Sequence, residues 1–285
     1  MNITNQYGLT RTIPPDIKLK VRQNSGFGCV ICGIAICEYE HVDPEFKDAK
    51  EHNSENITLL CPTCHSKVTR KFISKEVVKQ RMMNPWCIDN GKCHDSFRFP
   101  HSEISISIGS CNFKNTRILT LEDETYLSIV SSGDEKIPLL INAKFCDSES
   151  KEYLIITDNE WQASSDIWDL DVSSGSIIIR KNHRVISFRL NNISSNNLSI
   201  DRLNMLVNYM HVRVEKEKIL LNVVNNDSAK IEISNIIFIG SGINSSAIKF
   251  KANGDLLVGS NPLKFESFQN GAIVLKGSGN TKFLV

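Results

Sequence analysis

Cys29-Val30-Ile31-Cys32, Glu40-His41 and Asn56-Ile57-Thr58-Leu59-Leu60-Cys61-Pro62-Thr63-Cys64-His65 are the stretches on which the reading of this chain turns. Two Cys-x2-Cys pairs with 28 residues between them enclose an acidic residue joined to a histidine, and a second histidine directly follows the last cysteine. Cysteines paired in this way supply four thiolates to a tetrahedral metal, with Zn–S bonds of ~2.3 Å. In a reducing compartment the pattern is a structural zinc site far more often than anything else. Neither pair sits in the strand–helix setting of a thioredoxin-like redox motif. Cys29, Cys32, Cys61 and Cys64 are therefore assigned to a structural Zn2+. So small a unit buries little apolar surface, and the ion is expected to supply much of its folding energy.

Working outward, Pro14-Pro15 open a short helical pattern over residues 16–24, with Ile17 and Val21 on one face. Gly26-Phe27-Gly28 ends it. Residues 34–41 read as a strand, 42–55 as a polar loop and 56–60 as a second strand. A helix is expected from about Pro62. Another follows Ser74, which caps residues 76–83 before Asn84-Pro85 stops it. From about residue 101 the period changes to two, in segments such as 104–108, 176–180 and 230–234, with Gly, Asn, Asp and Ser between them. The fold class is therefore α+β. Residues 1–95 form a small metal-clipped domain, and residues 101–285 form a larger all-β domain, either a sandwich or a β-helix-like stack. Gly91, Pro100 and nearby polar residues place the linker between Asn90 and Ser102.

Composition bounds the rest. Residues 1–100 carry 14 Lys and Arg against 11 Asp and Glu, and the remainder 19 against 21. The positive excess is thus small and lies at the end that holds the clip. No stretch approaches the ~20 apolar residues a spanning helix needs, and residues 1–15 lack the apolar core of a secretory signal. A cytoplasmic protein with reduced cysteines and no membrane contact is expected. Five of the nine cysteines (37, 87, 93, 111 and 146) lie outside the clip. They read as small buried residues rather than as a second metal site at Cys87, Cys93 and His94.

The quoted motifs resemble an HNH endonuclease of the ββα-metal fold. That family carries an acidic-His pair on its first strand, an Asn before a Leu-rich second strand and a His on the next helix. Here these are Glu40-His41, Asn56 and His65. The resemblance covers about residues 13–85. It implies hydrolysis of phosphodiesters in double-stranded DNA, with His41, Asn56 and His65 as catalytic residues. Such chemistry needs an activated water and stabilisation of charge on the phosphate. His41 suits the base, since imidazole titrates near neutral pH. Glu40 and His65 would hold a catalytic divalent ion, Mg2+ or Mn2+. Adjacent strand residues face opposite ways, so the strand should bend or end at Glu40-His41 and lead into the loop at Val42. Asn56, by resemblance, fixes that loop. His52 is a candidate to assist at the metal or on a phosphate, and Asp43 reads as a turn residue. Lys67, Arg70 and Lys71 follow His65 and are candidate DNA phosphate contacts, in a basic run that continues through Lys75, Lys79 and Arg81.

The family's usual Asp before the catalytic His is Glu here, which changes reach rather than chemistry. The amino-terminal pattern resembles HNH modules of bacterial anti-phage effectors, where an appended domain senses a signal or assembles a complex. An HNH restriction enzyme, with the β domain reading sequence or modified bases, is one alternative. A noncatalytic zinc-ribbon adaptor is the other. In the β domain, Trp161 and Trp168 are expected to pack in the core rather than stack a base. Self-association or a signal ligand is the expected use of its surfaces.

Overall fold

The computed structural model describes residues 4–99, 104–134, 137–191, 197–224, 229–250, 255–258, 261–264 and 271–284. The chain divides into two units. One comprises residues 1–95, 162–174 and 179–185, and the other 96–161, 175–178 and 186–285.

In the first unit, local punctuation sets the elements. Helix α1 (Pro15–Asn24) starts on its proline and buries Val21. Strands β1 (Glu38–His41) and β2 (Ile57–Leu60) pair antiparallel, with Glu38 opposite Leu60 and His41 opposite Ile57. All four β2 residues are buried, and the period of two divides them. Ile57 and Leu59 join Ile13 and Val21, while Leu60 joins Cys29, Val30, Val42, Val68 and Val78 around the cysteines. Helix α2 (Pro62–Thr69) is capped by Cys61, whose sulfur accepts from Cys64 N–H at 3.4 Å. Helix α3 (Lys75–Met83) is capped by Ser74, which accepts from Val77 N–H at 3.3 Å. A short helix α4 (Trp86–Asp89) and strand β3 (Lys92–Ser96) follow.

Two expectations are corrected. The first strand begins at Glu38 rather than at residue 34. Residues 29–37 spend their main-chain groups on the first cysteine knuckle and on β3. Cys29 N–H donates to Ile34 O at 2.8 Å, and Ala35 N–H to His94 O at 2.9 Å. The stretch read as linker holds strand β3. The first unit also takes in residues far along the chain. Arg22 forms a two-pronged ion pair with Asp169, at 2.8 and 3.0 Å, and Arg180 reaches the same carboxylate at 2.7 Å.

In the second unit the period-two segments pair antiparallel with their sequence neighbours. Ser105–Ile108, Cys111–Leu121, Glu124–Asp134, Ile137–Cys146 and Glu152–Thr157 make one run. Val185–Asn191, Asn197–Val207, Met210–Glu215, Lys218–Val223 and Ala229–Phe250 make another. Parallel pairings join the runs, Ser105–Ile108 to the start of Asn197–Val207 and Cys111–Leu121 to Ala229–Phe250. Antiparallel neighbours of this kind are not the stacked parallel coils of a β-helix. The strands expected at 247–250, 256–258 and 272–275 lie within Ala229–Phe250, Asp255–Val258 and Gly271–Leu284. Trp161 is 2% exposed and stacks on Phe97 at 6.2 Å, a core residue as expected. No helix among the described residues is long and apolar enough to cross a membrane.

Candidate active site and zinc clip

The two knuckles bring the four cysteine sulfurs within 4.8 Å of one another. Cys32 Sγ lies 3.6 Å from Cys61 Sγ and 3.8 Å from Cys64 Sγ. A tetrahedron with ~2.3 Å Zn–S bonds has edges of about 3.8 Å, so the set fits a structural zinc. The hydrogen bond from Cys32 lowers the Cys29 pKa. The thiolate is the form that binds metal. Among the described residues, this is the one His/Cys/Asp/Glu group assembled closely enough to hold an ion by itself. Cys87, Cys93 and His94 do not form a second. The two cysteines are buried thiols, and His94 Nε2 lies 3.1 Å from Cys32 O.

The clip sets α2 against β1, and a cleft of about 1010 Å³ opens beside them. Glu40, His41 and His65 all line it. β1 ends at His41, as the alternation of side chains required. Glu38 and Glu40, two residues apart, both reach His65: Nδ1 is 2.8 Å from Glu38 Oε2, and Nε2 is 3.0 Å from Glu40 Oε2. Lys75 closes the cluster, with its ammonium against Glu40 and 3.1 Å from His41 O.

His41 takes the other side of the hairpin. Its Nε2 is 3.1 Å from His52 Nδ1, and its ring meets Phe46 edge-on with centroids 5.4 Å apart. His52 Nε2 lies 3.0 Å from Thr10 O. Burial, then the neighbouring His52, lowers the His41 pKa below its ordinary value, with Glu40 opposing. Asn56 acts through its main chain, its carbonyl accepting from Val42 N–H at 2.9 Å. Asp43 stands in the turn after β1 and pairs with Lys79 at 2.7 Å.

Of the candidate phosphate contacts, Lys71 lines the cleft, while Lys67 and Arg70 are not among its lining residues. Arg11, Lys18, Lys47 and Lys75 line it instead, against Glu38, Glu40 and Glu45. Sequence reasoning missed Glu38, although its spacing of two from Glu40 was a usable sign. It also missed Arg11 and Thr10. Thr10 acts through a carbonyl that every residue has, so nothing in the sequence marks it.

A hairpin and helix held by a four-cysteine cluster present an acid–histidine pair and a second histidine to one cleft. Residues 29–71 match the family model for HNH endonuclease, and this segment is an HNH endonuclease domain with a four-cysteine cluster. The match spans 43 of 285 residues, so the family extends no assignment to the β unit. No curated protein and no solved structure matches the chain.

Proposed function

We propose that the chain is a metal-dependent DNA endonuclease of the ββα-metal type, acting in the cytoplasm, with His41 as general base. The observation that carries this reading is the 3.0 Å approach of Glu40 to His65 in the cleft that His41 also lines. Adjacent ligands of an octahedral ion with ~2.1 Å bonds stand about 3.0 Å apart, so the pair fits a divalent ion such as Mg2+ or Mn2+. Bound there, the ion would supply Lewis-acid stabilisation of the phosphate and of the departing oxygen. His41 takes a proton from a water. The resulting hydroxide oxygen bonds to phosphorus, the bond to O3′ breaks with its electron pair on that oxygen, and the oxygen takes a proton from solvent. Lowering of the His41 pKa keeps the ring in the neutral form that accepts a proton. Arg11, Lys18, Lys47, Lys71 and Lys75 would meet the backbone phosphates.

Incubation of the purified protein with plasmid DNA, with and without Mg2+ or Mn2+, tests this beside His41→Ala. Metal-dependent cutting, reduced by about 10²-fold or more in the variant, is the expected result. DNA binding without cutting by either protein would favour a zinc-ribbon adaptor. Smeared products accord with a nonspecific anti-phage effector restrained by its β unit, a role supported by the resemblance of the amino-terminal motifs. Discrete fragments accord with a restriction enzyme.

A further inference from the structure

We infer that His52, anchored by the Thr10 carbonyl, is the positioning residue of the His41 base, fixing its proton on Nε2 and leaving Nδ1 to take the proton from water. The inference rests on the nuclease reading above. A carbonyl can only accept a hydrogen bond. His52 Nε2 is 3.0 Å from Thr10 O, so that nitrogen carries the hydrogen. A neutral imidazole has one N–H, which leaves His52 Nδ1 as an acceptor. His41 Nε2 lies 3.1 Å from it and must therefore donate. By the same rule, neutral His41 keeps its lone pair on Nδ1, for which the described residues provide no hydrogen-bond partner. The reverse order would set two acceptors against each other at Thr10.

The chain also gives the loaded base somewhere to share its charge. Once Nδ1 is protonated, the Nε2–H···Nδ1 bond becomes charge-assisted and strengthens. Both His52 nitrogens are thereby engaged, so His52 serves neither a metal nor a phosphate. The support is built in ahead of the family match. Asn5 Nδ2 donates to Phe46 O and to Ala49 O, each at 2.6 Å, and Asn5 Oδ1 accepts from Tyr7 and Leu9 N–H, each at 3.0 Å. The segment ending at Thr10 is thus stitched to the loop that carries His52, and Arg11 sits over Phe46 at 5.0 Å.

Two substitutions separate the roles of the two nitrogens. His52→Asn keeps an acceptor near the position of Nδ1 and loses the tie to Thr10. His52→Gln keeps a donor near Nε2 and loses the acceptor. We expect His52→Gln to lower kcat about 10- to 100-fold with KM for DNA unchanged, and His52→Asn to recover at least about tenfold of that loss. Equal losses, or the opposite order, would overturn the assignment. Long-range 1H–15N correlation spectra of the 15N-histidine-labelled, zinc-loaded full chain give a second reading that needs no activity. His41 and His52 should each be protonated at Nε2 alone, and His41 protonated at Nδ1 would sink the inference. If the protein cuts no DNA at all, the nuclease reading fails while the spectra still decide the hydrogen-bond chain.

Discussion

At the scale of single residues, the acidic side of the cleft is a balance among one histidine, two carboxylates and a lysine. His65 stands between two carboxylates, Nδ1 2.8 Å from Glu38 Oε2 and Nε2 3.0 Å from Glu40 Oε2; with an ion on Nε2, Nδ1–H would donate to Glu38. A carboxylate behind a metal-binding histidine commonly fixes its orientation in this way. Lys75 works against an ion, because its ammonium already pairs with Glu40. A unit charge ~5 Å from a divalent ion is repelled by about 7 kcal/mol at an effective dielectric of 20. The Lys75 side chain is 26% exposed, so solvent screening reduces that figure to about half. Lys75→Met should therefore bind Mn2+ about 10²-fold more tightly, as measured by calorimetric titration of the zinc-loaded protein. Unchanged or weaker binding would mean that Lys75 does not compete at Glu40. The sequence makes Glu40, His41 and His65 legible because chemistry restricts their types. It shows Lys75 only as one cation in a run, since what matters is the carboxylate that the Ser74 cap brings beneath it.

At the scale of elements, the clip and the hairpin hold one another. Cys61 belongs to the four-cysteine cluster and also caps α2, so an ion held by the cluster would position His65 through the first turn of its helix. Caps, prolines and apolar spacing made α1, α2 and α3 readable, because those signals act within a few residues of themselves. The start of β1 was not readable, because residues 34–37 are drawn off by β3 about sixty positions later. Gly33 is where that knuckle is tightest. It has φ +82, and a Cβ there would stand 2.2 Å from the Trp86 ring. Gly91 shares the positive φ, at +70, but a Cβ there meets nothing within 4 Å. The two glycines therefore separate backbone strain from packing. Gly91→Ala should cost about 1 kcal/mol. Gly33→Ala should cost about 3 kcal/mol, the excess coming from overpacking, and should lower retained zinc. Urea melts with zinc analysis would measure both, and equal losses would remove Trp86 from the account of the clip.

At the scale of the molecule, the unit that carries the HNH domain is not a contiguous stretch of chain. Residues 162–174 and 179–185 belong to it, and a buried charge cluster shows why they are needed there. Asp169 is 2% exposed and lies between Arg22, 12% exposed, and Arg180. Tyr39, next to Glu40 on β1, accepts from Arg22 Nη1 at 3.0 Å, and Gln23 donates to Trp168 O at 2.8 Å. Nothing in the sequence ties residue 22 to residue 169. An ion pair between distant positions leaves no periodic or spacing signal, and the mild charge asymmetry of the chain conceals it. A buried pair adds little net stability over an apolar one, but removal of one partner strands the other charge at a cost of ~3–5 kcal/mol. Asp169→Ala leaves Arg22 without its carboxylate and should therefore lower the stability of the first unit by about 3 kcal/mol. Asp169→Asn keeps hydrogen-bond acceptance without the charge and should fall between that variant and wild type. Hydrogen exchange localises the effect. Amides of α1 and β1 should lose protection in Asp169→Ala while those of Met210–Glu215, in the β unit, keep theirs. A variant within about 1 kcal/mol of wild type, with α1 still protected, would show that the far segment merely lies against the rest of the first unit and does not hold it.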